Sequence, residues 1–275
     1  MTALLPVASC GEHANDRPTT GRTALTRLEQ TRVPGRLARV HYLPLLLLAS
    51  GAVLSQPAAA QMLDQEEIAH PFFTHEGLPD AVGTYSGRLS GLATRADGQT
   101  KGDFAFHIET GLTEKLGLHI RSDQFLTERR SEVMLQYALL KSSDGESGFA
   151  PIVELEFPTR SGGGKARAVV GFTSKLARGN FALNQVVHYN LSEKMVDASV
   201  ALVLRASDRI YPVVELLGEG GVGRPTIVNA LAGVKFRVRG STLIGVAYKR
   251  PVTSAREISS QFVFQLEFMA GKPRR

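Results

Sequence analysis

Alternation of apolar and polar residues with a period of two is the feature that most restricts the fold of this sequence. In the stretch GDFAFHIETGL, Phe104, Phe106 and Ile108 alternate with His107 and Glu109. Successive side chains of a β-strand point to opposite faces, so this stretch has one apolar face and one charged face. In a soluble sheet protein the apolar face would form the core, whereas in a transmembrane barrel it would contact lipid.

Short alternating segments of this kind recur along the chain, separated by clusters of Gly, Asp, Ser, Asn and Arg. Helical periodicity is weak throughout. The pattern predicts an all-β fold, an up-and-down antiparallel transmembrane β-barrel of about 12 strands. The twelve predicted strands are centred on residues 84–94, 102–110, 115–123, 132–141, 149–158, 167–176, 180–189, 197–207, 210–218, 227–239, 242–250 and 259–268.

The predicted connections alternate in length. Those that follow the odd-numbered strands are mostly longer, beginning with a nine-residue connection, TRADGQTKG, and those that follow the even-numbered strands are mostly shorter. Outer-membrane barrels have long external loops and short periplasmic turns. An even number of strands would return both ends of the barrel domain to the periplasmic side.

Residues 36–60 have the features of a signal peptide. Arg36 and Arg39 precede an apolar run over about residues 43–54, and alanines at 58–60 provide an A-x-A cleavage pattern. A spanning helix needs roughly 20 apolar residues, so this run of about a dozen predicts secretion rather than a membrane anchor. We therefore expect export through the inner membrane of a Gram-negative cell and location in the outer membrane.

The remaining chain divides around this signal. Residues 1–35 are polar and precede the positive region, so they are interpreted as a non-native or unusual extension, and Val33 is an alternative start. The predicted order is an N-terminal extension over 1–35, a signal peptide over 36–60, a periplasmic segment over 61–81, a β-barrel over 82–268 and a basic tail over 269–275.

Charge and cysteine content exclude other classes. The one cysteine, Cys10, lies before the signal, so a mature chain would have no disulfide and no thiolate metal site. The formal net charge is +6, but residues after position 60 hold 26 basic and 23 acidic side chains. A net charge of +3 spread along the strands does not indicate nucleic-acid binding.

The choice between lipid and a soluble core rests on several features. The signal, the grouping of charges on one face and the last strand favour the membrane. Its alternating residues Phe262, Phe264, Leu266 and Phe268 are typical of the segment that the barrel-assembly machinery binds. The absence of Trp, an aromatic content of 7% and the tail after Phe268 favour a soluble β-protein.

Four stretches also carry a resemblance to a known family. HPFFTHEGLPD, KGDFAFHIETGL, GFAPIVELEFPTRSG and PVVELLGEGG resemble bacterial outer-membrane transporters, and they are similar to the meta-pathway phenol-degradation family of outer-membrane β-barrel proteins. The resemblance covers nearly all of residues 70–268, although its motifs are structural and not catalytic. It implies a barrel with a transport or channel role and leaves the solute open.

Charged side chains on the inward parity of the strands are the candidate pore lining. Such a lining could select solutes by charge, or the opposite charges could pair and fill a narrow barrel. Glu154 and Glu215 are the strongest candidates because each interrupts an apolar run. The predicted lining consists of Arg88, His107, Glu109, His119, Arg121, Glu154, Glu156, Glu215, Lys235 and Arg237.

The stretch HPFFTHEG raises the question of a metal site. His70, His75 and Glu76 could act as ligands, but their spacing fits no established site and Pro71 stiffens the connection. The preferred interpretation is a segment tucked into the mouth of the barrel, anchored by the pair FF at 72–73. We therefore predict no metal and no cofactor.

Three functions remain open on the sequence alone. The preferred one is passive passage of small hydrophilic or aromatic solutes across the outer membrane, with lipid, the assembly machinery and the solute as partners. A soluble periplasmic ligand-binding β-protein is an alternative. An outer-membrane lipid hydrolase is another, but no nucleophile elbow accompanies His107, His119 or His188, so no enzyme is predicted.

Overall fold

Antiparallel strands that close on themselves make up the computed structural model, which describes residues 68–127, 130–159 and 165–271. The all-β, up-and-down barrel predicted from the alternation is confirmed. The strands are β1 (Thr84–Ala96), β2 (Gln99–Gly111), β3 (Leu116–Ser122), β4 (Arg130–Tyr137), β5 (Leu140–Lys141), β6 (Gly148–Pro158), β7 (Arg167–Arg178), β8 (Phe181–Asn190), β9 (Met195–Leu204), β10 (Ile210–Gly221), β11 (Ile227–Arg239), β12 (Thr242–Pro251) and β13 (Ser260–Gly271).

Each strand pairs with its neighbours in the sequence, and two further pairings close the ring. β1 pairs with β13, and β4 pairs with β6. The two-residue β5 continues β4 along the same edge of β6, and the register moves from Gln136↔Ile152 to Leu140↔Phe149. This step inserts one extra residue, which is a β-bulge. The thirteen described strands therefore occupy twelve positions around the barrel.

The structure shows which face of each strand points out of the barrel and which points into it. On β6, Val153 and Leu155 are 61% and 50% exposed, whereas Glu154 between them is 3% exposed. On β2, Ile108 is 48% exposed and Glu109 is 1% exposed. The apolar face of the strands therefore points outward and the polar face points into the barrel.

The connections at the two ends of the barrel differ in length. The turn end, where β1 begins, has connections of two to six residues, and the loop end has connections of two to eight residues. The predicted nine-residue connection after β1 is wrong, because the strands continue to a two-residue turn at Asp97 and Gly98. Both have positive φ, 49° and 76°, as in the tight hairpin turns that Asp-Gly favours.

Outward aromatic side chains are concentrated near the two ends. One group lies near the turn end and consists of Tyr85, Tyr137, Phe236 and Phe268. The second lies toward the loop end and consists of Phe104, Tyr189, Tyr248 and Phe262, with Phe264 between the groups. The chain therefore has an aromatic band near each end of the barrel despite its low aromatic content.

Several sequence predictions fall outside the described residues. The extension over 1–35 and the signal peptide over 36–60 are among them, as are residues 61–67 and 272–275. The last strand continues to Gly271, three residues beyond the predicted end of the barrel at 268. No helix in the described part of the chain is long and apolar enough to span a membrane.

Candidate functional site in the barrel interior

Residues 68–80, which we call the inner segment, run through the barrel interior before β1 begins. His70, Thr74 and His75 are each exposed by 2% or less. The segment forms no sheet ladder with the wall, so its backbone groups need other partners. Polar side chains of the wall provide many of these partners, as follows.

Glu215 of β10 binds three consecutive amide groups of the inner segment. Its carboxylate accepts hydrogen bonds from the backbone N–H groups of Phe72, Phe73 and Thr74, the last two at 3.1 and 2.9 Å. The Thr74 hydroxyl donates a further bond at 3.0 Å. Glu215 is fully buried, so this carboxylate is a fixed anchor for the segment rather than a group exposed to solvent.

Glu267 of β13 forms a second anchor. It accepts hydrogen bonds from the backbone N–H of His70 at 3.1 Å and from its ring Nδ1 at 2.8 Å, and it also pairs with Lys235. The Lys235 ammonium donates to the Pro71 carbonyl at 3.2 Å. Burial alone would lower the pKa of His70, but Glu267 and Asp80 raise it well above its usual value.

Phe72 packs into an apolar recess of the wall. The recess belongs to an apolar cluster of inward residues from β9 to β13, β1 and β2, and Phe72 is only 4% exposed. Gly233 and Gly245 leave the room for its ring, because a Cβ at either position would lie 2.7 or 2.8 Å from a ring carbon. Of the pair at 72–73 interpreted from the sequence as the anchor, Phe72 is buried in this recess and Phe73 packs against the same cluster while only partly buried.

The second half of the inner segment is bound in the same manner. Gln136 donates to the Glu76 carbonyl at 3.0 Å and Thr173 donates to the Gly77 carbonyl at 2.9 Å. Asn184 accepts from the Gly77 amide at 3.0 Å. The Glu76 carboxylate pairs with Lys175 at 2.5 Å. The wall thus holds this half of the segment through amide and hydroxyl side chains as well as through charge.

A buried cluster of β1, β2 and β3 side chains lies beside the segment. Arg88 pairs with Glu109 and contacts His107, and it donates to the Pro71 carbonyl at 2.8 Å. The His107 and His119 rings are joined by a 3.3 Å contact between ring nitrogens. His119 in turn contacts Gln136 at 3.0 Å. These charges are therefore engaged with each other and with the segment.

The loop-end half of the interior is open. A cavity of about 370 Å³ lies there, and Phe73 and His75 of the inner segment form part of its lining. Arg121 pairs with Glu132, and Arg167 pairs with Glu193 at 2.6 Å. The described acidic residues of the lining are Asp123, Glu132, Glu154, Glu156, Glu193, Asp197, Glu219 and Glu257, and the basic ones are Arg121, Arg130, Arg167 and Lys249.

All ten predicted lining residues have the inward parity of their strands. Arg121, Glu154 and Glu156 line the cavity. Glu215 and Lys235 bind the inner segment instead. Arg88 does so too, while His107, Glu109 and His119 lie in the cluster beside it, and Arg237 lies over the Tyr211 ring near the turn end, 5.3 Å from its centroid.

Several residues that hold the interior together were not predicted from the sequence. Glu267 and Gln265 lie on the inward parity of the last strand, between phenylalanines, and that alternation could have identified them. Gln136 and Asn184 have no such signal, because a single amide in an apolar run does not indicate a backbone contact in advance.

Four groups of buried or partly buried side chains have donor atoms close enough to hold a metal ion. Two contain His75: one with His107 and His119, the other with Glu154 and His188. The remaining two groups are His70, Asp80 and Glu109, and Glu132, Glu154 and Glu156. The predicted ligand set His70, His75 and Glu76 is not among these groups of the described residues.

Comparison with known proteins identifies the class of fold. The chain is similar to the KdgM porin, with 8% identity over 66% of this chain and 98% of that chain and a TM-score of 0.51. An outer-membrane channel from Pseudomonas putida F1 gives 11% identity, coverage of 74% and 100%, and a TM-score of 0.51. A KdgM porin in complex with disordered oligogalacturonate gives 9% identity, coverage of 69% and 99%, and a TM-score of 0.50.

The barrel therefore has the fold of porin-like outer-membrane channels. No family model and no curated protein matches the chain. The similarity to the meta-pathway phenol-degradation family consequently stays a prediction.

Proposed function

We propose that the protein is an outer-membrane channel for passive passage of small hydrophilic or aromatic solutes, and that the inner segment narrows it in the described state. The observation that carries this proposal is the orientation of the side chains in the barrel wall. Large apolar side chains cover the outside, and charged side chains and a cavity occupy the inside. The two bands of aromatic residues match the girdles that such barrels place at the membrane interfaces.

The cavity favours cations or neutral solutes over anions. Its lining has eight carboxylates and four basic side chains among the described residues. The four carboxylates of Glu154, Asp197, Glu219 and Glu257 have no ion-pair partner within that part of the chain, and rings of one charge sort solutes by sign. The KdgM porin forms a complex with oligogalacturonate, an acidic oligosaccharide. Because the cavity of this protein is itself acidic, we do not propose that solute for it.

The predicted pore-lining residues fall into those that line the cavity and those that lie elsewhere in the interior. In the described state Arg121, Glu154 and Glu156 would meet a solute in the cavity. The other predicted lining residues lie against the inner segment, against one another or near the turn end. Those that hold the segment, such as Glu215, would be uncovered only when it moves. Opening of the channel is therefore proposed to require displacement of this segment.

Conductance of the full-length protein in a planar lipid bilayer tests the proposal. We expect discrete steps of low conductance and, under a salt gradient, a reversal potential that indicates preference for cations. Glu156→Gln should reduce that preference. Stable insertion without any conductance, in the wild type and in variants that release the inner segment, would contradict a channel.

The soluble alternative is tested on the outer face. Val153→Arg places a charge at the middle of β6, where a lipid-facing arginine costs about 2–4 kcal/mol, whereas Tyr85→Arg near the turn end should cost only about 0–1 kcal/mol. The free energy of unfolding from lipid vesicles measures both. Equal, small losses would mean that this face contacts water.

Two further roles follow from the barrel. We propose that Phe262, Phe264, Leu266 and Phe268 on the outer face of β13 serve recognition by the barrel-assembly machinery, with outer-membrane lipid as the surrounding partner. Assembly of β13 variants into vesicles containing the purified machinery would test the first role.

The lipid-hydrolase alternative is less well supported, since no serine hydroxyl in the described part of the chain is hydrogen-bonded to a histidine.

A further inference from the structure

Three buried side chains meet where the inner segment borders the loop-end cavity. His75 comes from the inner segment, Glu154 from β6 and His188 from β8, and they are 2%, 3% and 6% exposed. One donor atom from each lies within 4.8 Å of the other two. The His75 and His188 ring centroids are 5.2 Å apart. All three side chains also line the cavity.

None of these side chains is satisfied by the surrounding protein. Both ring nitrogens of His75, Oε2 of Glu154 and Nε2 of His188 lack hydrogen-bond partners among the described residues. A buried polar atom without a partner costs free energy, so native proteins contain few of them. Three such residues with donor atoms within 4.8 Å of one another indicate a ligand that accepts two imidazoles and a carboxylate.

We propose that His75, Glu154 and His188 bind one divalent transition-metal ion of the zinc class. Two imidazole nitrogens and one carboxylate oxygen form a donor set that such ions prefer. Three protein ligands leave a fourth position, which would face the cavity and hold water or a solute group. The ion would also balance the carboxylate charge of Glu154, which forms no ion pair with a described residue, since the nearby Arg121 pairs with Glu132 and Asp123.

The neighbouring group His75, His107 and His119 is a poorer site. The His107 ring contacts Arg88 on one nitrogen and His119 on the other, and His119 also contacts Gln136. An ion there would have to displace these contacts, including the direct contact of the Arg88 guanidinium with His107. Oε2 of Glu154 and Nε2 of His188, by contrast, have no competing hydrogen-bond partner among the described residues.

This site would join the inner segment to the wall. His75 belongs to the segment, whereas Glu154 and His188 belong to strands on the wall, so one ion would cross-link them. The ion would then hold the segment in place in addition to the Glu215 and Glu267 anchors. The site does not depend on whether solutes pass through the barrel.

Metal titration of the full-length protein in detergent tests the inference. The chelator-treated protein is titrated with Co²⁺ while visible absorption is recorded, and Zn²⁺ is then added to displace it. We expect one equivalent to bind. Glu154→Gln and His188→Gln should each weaken binding by more than about tenfold, because loss of an outer-shell partner alone already costs 10–100-fold. His119→Gln is the matched control and should bind as the wild type does.

The outcomes separate the two histidine groups. Loss of binding in His119→Gln with normal binding in Glu154→Gln would place the ion in the other group and overturn the assignment. Unchanged binding in all three variants would also overturn it. X-ray absorption of the zinc-loaded wild type needs no variant to fold, and we expect two imidazole ligands. A spectrum without imidazole, or no binding by the wild type, would refute the site.

Discussion

The turn-end and loop-end halves of the interior have similar side-chain chemistry but use it differently. In the turn-end half, Glu215 and Glu267 bind backbone amides of the inner segment, and the nearby charges are paired. In the loop-end half, carboxylates outnumber basic side chains around a cavity. The parity of the strands makes both halves polar, and the presence of the inner segment decides whether a charge becomes an anchor or part of a lining.

The largest effect should follow from removing the anchor at Glu215. Glu215→Gln replaces a carboxylate that accepts from three amide groups, and each hydrogen bond to a charged group contributes about 1.5–3 kcal/mol. Docking of the inner segment should weaken by roughly 3 kcal/mol, more than about 100-fold. Single-channel conductance should rise to a larger and more frequent open level.

Glu219→Gln on the same strand is the matched control for this change. Glu219 lines the cavity, and no hydrogen bond joins it to the inner segment among the described residues. Its loss should alter ion selectivity without opening the channel. Equal conductance changes in the two variants would mean that Glu215 acts through the charge of the lumen and not through the segment.

A smaller effect is expected from filling the recess that holds Phe72. In Gly245→Ala the new Cβ would lie 2.8 Å from the Phe72 ring and 3.0 Å from Lys235. Overpacking of this kind costs about 1–3 kcal/mol, so the segment should be displaced part of the time. Flickering conductance should report it. In Gly91→Ala nothing lies within 4 Å of the new Cβ, and wild-type behaviour is expected there.

The fold could be predicted from the sequence because parity is a local property. Each strand shows its outward and inward faces within about ten residues, as Val153, Glu154 and Leu155 do, and the twelve barrel positions follow from counting such runs. The first connection was overestimated because the polar residues around Asp97 are compatible with a loop as well as with exposed strand ends.

The interior contacts could be predicted only in part. Glu215 was identified as exceptional because it interrupts an apolar run, but its role required knowing that the amides of residues 72–74 lie against it. His188 contributes a ring whose partners come from residues 75 and 154, far away in the sequence. No local sequence pattern predicts such contacts across the barrel, because they depend on the path of the inner segment through the interior.

A pH-dependent effect of intermediate size concerns His70. Its ring faces the carboxyl groups of Glu267, Asp80 and Glu109, with Glu76 also contributing. Burial opposes the charge, yet these groups raise the pKa of His70 well above its usual value. A raised pKa means that protonation stabilises the docked segment fully below the ordinary histidine pKa, and that this stabilisation disappears as pH rises through the docked value.

Conductance should therefore increase as the solution is made alkaline and should not increase on moderate acidification. Lys235 lies on the other side of Glu267 and stays as the remaining partner. His70→Gln should remove the alkaline step. A step that persists in this variant would assign it to another group.

The smallest effect should appear at the rim of the loop-end cavity. Arg167 pairs with Glu193 at 2.6 Å and with Glu156 at 3.5 Å, but its side chain is 32% exposed. Exposed pairs of this kind contribute about 0–1 kcal/mol, so Arg167→Gln should leave the unfolding free energy within about 1 kcal/mol of the wild type. Removing one of the few basic groups of the lining should nevertheless shift the reversal potential further toward cations.

The opposite end of β7 provides the control for this shift. Arg178 is exposed at the turn end and is not part of the cavity, so Arg178→Gln removes the same charge from the protein without changing the lining. The Arg167→Gln shift should shrink as salt rises from about 0.1 to 1 M, because the screening length falls from about 10 to 3 Å. Equal shifts in the two variants would mean that net charge, and not the loop-end cavity, sets the selectivity.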